Sequence, residues 1–378
     1  MGNVENKFTQ RRQDVKGGAD AATILGGSAA ESTPRCSVII VGYNNAADLR
    51  PLLAMLTARP EPDVELILVD NASTDETAQV AADYAPQVRY AKLAQNVGFA
   101  GGNNAGAALA RGEILVFLNP DTLPYAGWLN ELTRPLADES VGMSTARLVH
   151  LHRPHLINAC GNDITWTGLT VCRGLDQPVD LWDAPDEVAA VSGACFVMRR
   201  ALFEKLGGFD ERFFLYYEDT DLSLRVRLAG YSIVYAPRAV VAHRYVFKFS
   251  AQKAYYQERN RWLALLKTLR WPTLLLLLPG LLLGELMAWC YAALNGWDHV
   301  RAKARGWVWL WRNRTLIRQA RRETFAHRRT SDAALLRYWS PTLRFTGTVP
   351  AVVAQVLEGA AYWLLRVYGG FCRRVAMW

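Results

Sequence analysis

At 378 residues, 51% of them hydrophobic, the chain is long enough for one large domain with an appendage, or for two domains, with a substantial core. Its six cysteines include no CxxC pair, which excludes the usual thiolate metal spacing; a disulfide framework is not expected at this length, so the thiols read as reduced and structural. The formal net charge of +8 is concentrated: between residues 297 and 344 many arginines face only Asp298, Glu323 and Asp332, and the interleaved tryptophans and flanking apolar segments favour a membrane surface over nucleic acid.

Residues 1–34 are polar, small and rich in Gly, Ala and Ser, without the apolar stretch of a secretory signal, and read as a disordered leader. A strand over residues 38–41 leads to Gly42-Tyr43-Asn44-Asn45, and a helix follows with Leu49, Leu52, Leu53 and Leu56 on one face. A second strand, residues 65–69, ends in Asp70-Asn71-Ala72-Ser73-Thr74-Asp75, where Ser73 or Asp75 can cap the helix beginning near Glu76. A third, residues 88–93, opens into the glycine-rich stretch 96–106 and a small-residue helix. The apolar run Ile114–Leu118 is then stopped by Asn119-Pro120-Asp121, because proline cannot donate to a strand ladder. Strand–helix alternation of this kind predicts a largely parallel sheet covered on both faces. It places three polar loops at the carboxyl ends of strands, where open α/β sheets bind ligands.

The ordered set SVIIVGYN, VDNASTD, NVGFAGGNNAG and FLNPDT resembles the nucleotide-binding half of family-2 inverting glycosyltransferases, especially bacterial rhamnosyltransferase-like members, and the similarity runs from about Ser37 to the end of the chain. The resemblance implies an α/β GT-A nucleotide-sugar-binding fold with a mostly parallel central sheet, followed by hydrophobic membrane-associated helices. It implies that Tyr43 and Asn44 line the base and ribose pocket and that Asp70 faces the nucleobase edge. Asn96, Gly98, Phe99, Asn103 and Asn119 complete the implied donor-binding set. Asp121 matches the last carboxylate of a DxD-type motif and is expected to bind Mg²⁺ or Mn²⁺ on the diphosphate. The chain departs from the pattern at Asn119, where relatives often carry a second carboxylate; one carboxylate suits a metal held mainly by phosphate oxygens and water.

Residues 123–190 are less informative. Trp128 and Leu132 suggest a helix face, Trp166 and Trp182 read as packed aromatics rather than sugar platforms, and His150, His152 and His155 beside Arg153 read as a solvated basic loop. A small-residue turn, Gly193-Ala194-Cys195, feeds a strand, and a helix over 201–206 stops at Gly207-Gly208. The aromatic and acidic stretch 209–221 then opens a helix at Glu218-Asp219-Thr220-Asp221, with Leu222, Val226 and Leu228 facing the core. Acidic residues in a first turn are favoured by the helix dipole alone. Sugar transfer with inversion further requires a base on the acceptor hydroxyl. By resemblance Asp219 is that base, Glu218 orients the acceptor, and Gly193, Ala194 and Cys195 lie under the donor sugar or acceptor. His243, after an apolar strand, matches a position that approaches the metal or diphosphate.

Residues 251–270 form one helix of interleaved aromatics and cations, expected as an interface helix at a bilayer surface, with a helix packed on the catalytic domain as the plain alternative. Trp271–Leu294 has the length of a membrane segment, interrupted by Pro279, Gly280, Gly284 and Glu285. Residues 295–344 are basic, and 345–378 hold a second, weaker hydrophobic segment and a basic tail, so a monotopic or hairpin-like attachment is expected. The expected organisation is therefore a leader (1–34), a GT-A catalytic domain (35–250) and these membrane-associated parts. The expected activity is transfer of a sugar, with rhamnose a candidate, from a dTDP- or UDP-linked donor to a lipid-linked or envelope glycan, at the cytoplasmic face of a bacterial inner membrane and without nucleic acid. A nucleotidyltransferase would need a cationic Gly-rich signature that SVIIVGYNN lacks, and a non-catalytic scaffold or nucleic-acid binder leaves the acidic motifs unused.

Overall fold

The computed structural model describes residues 33–58, 60–61, 63–245, 250–343 and 351–376; the expected leader lies outside the described residues apart from Thr33 and Pro34. Ten strands form one sheet: β1 (Cys36–Gly42), β2 (Val64–Asp70), β3 (Val88–Lys92), β4 (Ile114–Leu118), β5 (Thr122–Pro124), β6 (Val141–His150), β7 (Arg153–Ala159), β10 (Asp186–Glu187), β11 (Cys195–Arg199) and β12 (Ser232–His243), while β8 (Asn162–Ile164) and β9 (Thr170–Cys172) pair separately. The order is β10-β12-β6-β11-β4-β1-β2-β3, with β5 on β12 and β7 on β6. Strands β3, β2, β1 and β4 are mutually parallel, as are β6 and β12, whereas β11 runs antiparallel between β4 and β6.

Neighbouring residues of the central strands enter different cores because side chains alternate across a sheet. Ile39, Ile67, Val69, Leu115 and Phe117 pack on one face, and Val38, Ile40, Leu66, Leu68, Val116 and Leu118 on the other. Both faces are covered, so the strands read as continuous apolar runs. One cover is α1 (Ala46–Ala58) with α2 (Thr77–Asp83); the other includes α3 (Gly98–Leu109). The glycines of α3 let it approach β1 closely: a Cβ at Gly106 would lie 2.4 Å from Ile39 Cγ2, and one at Gly102 2.6 Å from Val41 Cγ1. The chain returns to β4 on the opposite side of β1 from β2, so the loops after β1 and β4 flank a topological switch point.

The remaining helices are α4 (Trp128–Thr133), α5 (Arg200–Lys205), α6 (Glu218–Leu228), α7 (Ala251–Thr268), α8 (Trp271–Leu294), α9 (Trp297–Arg312), α10 (Arg314–Ala326), α11 (Asp332–Leu336) and α12 (Ala351–Val375). Of the two settings open to residues 251–270, α7 shows the packed one: Glu258, Arg259, Asn260, Arg261 and Lys267 are all buried. Glu285 of α8 does not interrupt the helix; it pairs with Arg261 and with Lys303 of α9 (3.0 Å), and Lys303 also meets Glu258 at 3.0 Å. Among the described residues α8 alone is long and apolar enough to cross a membrane by length and composition. One face of α8 is buried by the rest of the chain, with Thr273, Leu277, Gly280, Leu281 and Gly284 inward, while Trp271, Leu275, Leu278, Leu282, Leu286 and Trp289 are exposed.

Candidate active site

The expected donor loops converge at the switch point. Asp70 differs from the expected nucleobase contact: it ends β2 fully buried, its Oδ1 accepting the Ser73 amide at 2.7 Å and its Oδ2 the Tyr90 hydroxyl at 2.7 Å, so its carboxylate holds the loop after β2. Burial and the neighbouring Asp70 carboxylate push the Tyr90 phenol up, keeping it a donor. Asn44 sits at φ +54°, and its Oδ1 accepts the Thr74 amide at 2.8 Å, joining the loop after β1 to the loop after β2. Tyr43 projects half-exposed beside it. Asp75 bridges two helix starts, accepting the Ala46 amide of α1 at 2.9 Å and the Thr77 hydroxyl of α2 at 2.6 Å.

Asn96 accepts the Gly98 amide at 2.9 Å. Sequence reasoning missed Asn71, which clamps this loop: its Oδ1 accepts Val97 N at 2.9 Å and its Nδ2 donates to Gly98 O at 3.0 Å. Gly98 has φ +75°, and a Cβ there would lie 2.2 Å from the Phe214 carbonyl oxygen, so glycine is required on both counts. Phe99 packs edge-on against Phe209 at 5.8 Å. Asn103 differs from the expectation: it is buried within α3 and donates back to Phe99 O at 2.9 Å, so it offers no surface to a donor. Its neighbour Asn104 instead spans the fold, donating to Phe209 O and accepting Phe209 N, each at 2.9 Å.

Asp121 and His243 are brought together although 122 positions separate them, because β12 pairs with β5 and sets His243 opposite Thr122. His243 Nε2 lies 3.4 Å from Asp121 Oδ2, and His243 Nδ1 bonds Asn158 Oδ1 at 2.8 Å. In the tautomer that donates from Nδ1 to that amide oxygen, Nε2 presents its lone pair toward the Asp121 carboxylate, an arrangement that a cation between them would satisfy. Among the described residues no group of three His, Cys, Asp or Glu side chains could hold a metal; a hard divalent ion at this pair would have Asp121 and His243 as its side-chain ligands and would need phosphate and water for its remaining positions. Arg244 follows, its side chain paired with Asp48 of α1 and its amide donating to Asp121 O at 2.9 Å. Asn119 leaves its side chain half-buried at the loop and donates its backbone amide to Ala194 O at 2.9 Å.

The second acidic cluster adjoins that contact. Asp219, in the first turn of α6, accepts Gly193 N at 2.9 Å and Asn162 Nδ2 at 3.3 Å through Oδ2, and Thr220 N at 2.6 Å through Oδ1. Burial raises its pKa, with the amides of Thr220 and Gly193 opposing that shift. Glu218 is buried, its Oε2 has no hydrogen-bond partner among the described residues, and desolvation together with the adjacent Asp219 charge pushes it well above the usual carboxylate range. Asp221 turns inward to Arg225 Nε (2.8 Å) and Lys267 (2.9 Å). Ala194 and Cys195 are corrections to the expected sugar contact: both are buried where β11 meets β4, and only the Ala194 backbone reaches the loop. His150 also differs from a solvated loop residue; it is buried at the end of β6, 3.1 Å from Asp176, while His152 and His155 are exposed.

This sheet, with ligand loops at its switch point and an acidic helix start beside them, defines a GT-A-like α/β glycosyltransferase. The model of Glycosyl transferase family 2 matches residues 37–207, and that of Glycosyl transferase family group 2 matches residues 177–365. The chain is 32% identical over 245 residues to N-acetylglucosaminyl-diphospho-decaprenol L-rhamnosyltransferase of Mycobacterium tuberculosis, which covers 54% of this chain and 75% of that protein. It is 25% identical over 242 residues to the low-salt glycan biosynthesis hexosyltransferase Agl10 of Haloferax volcanii, covering 60% of this chain and 74% of that one. A crystal structure of GalNAc-T7 with UDP, GalNAc and Mn²⁺ shares the fold with a TM-score of 0.52 at 18% identity, over 62% of this chain and 48% of that one. The chain belongs to glycosyl transferase family 2 and is a glycosyltransferase that uses a nucleotide-sugar donor.

Proposed function

We propose that the chain transfers a sugar, with rhamnose the leading candidate, from a dTDP- or UDP-linked donor to a lipid-diphosphate-linked or other envelope glycan, with inversion, at the cytoplasmic face of the membrane. The observation that carries this reading is the contact of Asp219 with Gly193, which sets a carboxylate of raised pKa beside the loop that holds Asp121. In this reading Tyr43, Asn44, Asp70, Asn96, Gly98, Phe99 and Asn119 shape the donor side, Asp70 through the loop it holds together. Asp219 takes the proton from the acceptor hydroxyl as that oxygen attacks the anomeric carbon, and Glu218 orients the acceptor. A divalent ion, Mg²⁺ or Mn²⁺, held by Asp121 and His243 would supply positive charge to the departing diphosphate. The Mn²⁺ in GalNAc-T7 and the acceptor in the name of the mycobacterial relative support the ion and the lipid-linked substrate.

Membrane attachment is read from α8. Its inward face follows the catalytic domain along its length: a Cβ at Gly280 would lie 2.4 Å from Trp166 O, and one at Gly284 2.9 Å from Thr167 O. A helix held side-on in this way supports attachment in the plane of the bilayer, through its exposed leucines and tryptophans, rather than a free crossing. The domain division proposed is residues 35–250 for catalysis, with α7 and residues 271–294, 295–344 and 345–378 forming the membrane-proximal part. Purified protein screened for nucleoside diphosphate release across dTDP- and UDP-sugars, with and without polyprenyl-diphosphate sugars, tests the reading. Release with one donor and its loss in Asp219→Asn supports it; a full-rate Asp219→Asn enzyme removes Asp219 from the base role.

A further inference from the structure

The six residues before the acidic pair carry an unusual backbone. Phe214, Tyr216 and Tyr217 have φ of +63°, +67° and +70°, a left-handed region that bulky side chains rarely occupy. Phe214, with ψ −61°, makes a tight γ-turn closed by Leu215 N donating to Phe213 O at 2.7 Å. Such a run persists only where the surroundings over-determine it. Here the surroundings catch five consecutive carbonyl groups from outside the turn. Arg259 Nη2 donates to Arg212 O at 2.8 Å and Phe213 O at 2.7 Å. Asn260 Nδ2 lies 2.9 Å from Phe213 O, 2.9 Å from Leu215 O and 2.7 Å from Tyr216 O. Ala100 N, in the helix that follows the donor loop, donates to Phe214 O at 3.4 Å.

Asn260 is fully buried, and its Oδ1 accepts Arg259 Nε at 2.8 Å, which fixes the amide with its nitrogen toward the turn. Other contacts also hold α7 on the domain: Leu263 and Ala264 pack with Phe213 and Tyr217, and Lys267 pairs with Asp221. The amide adds control of where the chain points as it enters α6. The same turn presses on Gly98, so it stands between the donor loop and the acidic pair.

We propose that Asn260, braced by Arg259, is a positioning residue for glycosyl transfer: a side chain of α7 that sets the backbone from which Glu218 and Asp219 project. It touches neither substrate nor reacting atoms. The proposal rests on Asp219 being the base, and the experiment separates the two.

Asn260→Asp keeps size and shape but turns the donor into an acceptor facing three carbonyls. Asn260→Ser keeps a donor of shorter reach. Each is compared with the parent and with Asp219→Asn for turnover by nucleoside diphosphate release, for UDP and dTDP affinity by calorimetry, and for thermal unfolding. Expected for Asn260→Asp is a loss of at least 100-fold in kcat with nucleotide affinity within threefold and cooperative unfolding retained. Asn260→Ser should fall between it and the parent, and the acid limb of the pH profile of kcat/KM should move. A folded Asn260→Asp within threefold of parental kcat overturns the proposal, and so does a parallel loss of nucleotide affinity. Should Asn260→Asp not be recovered folded, Asn260→Ser and Arg259→Lys decide by the same split. An active Asp219→Asn would instead defeat the base assignment, whatever the Asn260 variants do.

Discussion

The Gly193 amide donates to Asp219 Oδ2 at 2.9 Å, fastening the first turn of α6 to the loop that enters β11. One residue further on, Ala194 O receives the Asn119 amide at 2.9 Å. An amide-to-carboxylate bond and a backbone bond thus join the acidic helix start to the loop carrying Asp121, across a sheet in which β11 and β4 are antiparallel neighbours. A Cβ on Gly193 would lie 3.2 Å from Asp219 Oδ2, so the glycine permits the approach.

Asp219→Asn should lower kcat by about three orders of magnitude, the scale of a lost general base, and leave nucleotide affinity within a few fold. Because burial raises the Asp219 pKa, parental activity should decline on acidification through a limb above the ordinary Asp value of about 3.9, and the variant should lack it. Steady-state rates from pH 4 to 9 check both. An unchanged limb in the variant assigns it to another group.

Glu218 makes a separate stability prediction. Its folded-state pKa lies well above the unfolded value, so the stability it contributes is full below about pH 4.3 and is lost as pH rises through the raised folded value. Glu218→Gln removes the titrating carboxyl and should unfold later than the parent at pH 8, by on the order of 1 kcal/mol, with a shallower decline between pH 5 and 8. Asp219 shifts in the same direction and leaves a residual slope. Turnover should fall 10- to 100-fold if Glu218 orients the acceptor. Parallel melting curves for the two proteins across that range would contradict the buried-charge account.

Much of this architecture was legible from local pattern. The run Ile114–Leu118 and its stop at Pro120 marked a central strand with Asp121 just past its end, because a strand buried on both faces needs no alternation and proline ends it locally. What stayed hidden depends on distant partners. Nothing near Asn158, Asn162 or Asn260 distinguishes them from turn asparagines or helix polar residues, yet they meet His243, Asp219 and the strained turn across separations of 85, 57 and 47, 45 and 44 positions. Asn103 and Asn104 are adjacent and chemically identical, and only helix phase turns one into α3 and the other toward Phe209. The cations of α7 read as lipid-facing because their partners lie far along the chain: Glu285 for Arg261, Asp221 for Lys267 and the Phe213 carbonyl for Arg259.

The Asp121–His243 pair should set the affinity for a divalent ion. In calorimetry of Mn²⁺ with UDP or dTDP present, Asp121→Ala should weaken metal binding at least 10-fold, and His243→Ala by a smaller factor of the same sign. Asn158→Leu should follow His243→Ala, because it removes the oxygen that bonds Nδ1 at 2.8 Å. Chelator should abolish parental turnover. Full activity of Asp121→Ala in chelator would exclude a metal role for the pair.

The exposed face of α8 supplies the last prediction. Leu275, Leu282 and Leu286 are each more than half exposed on a helix whose opposite face is buried on the catalytic domain. Each leucine inserted into lipid would contribute up to about 1.5–3 kcal/mol, so Leu275→Ser/Leu282→Ser/Leu286→Ser should reduce binding to vesicles of phosphatidylglycerol and phosphatidylcholine by more than 100-fold. None of the three contacts the acidic motif or the donor loops, so nucleotide affinity and melting temperature should stay near parental values. Transfer to a short-chain, water-soluble acceptor should likewise persist, while transfer to a polyprenyl-linked acceptor in vesicles should fall with binding. Salt should weaken what remains of the attachment to the extent that exposed arginines of α9 and α10, such as Arg301, Arg305 and Arg318, contribute to it, because surface charge is screened within a Debye length of about 8 Å at physiological ionic strength. Vesicle flotation of the parent unchanged by the three substitutions would mean that another surface makes the attachment.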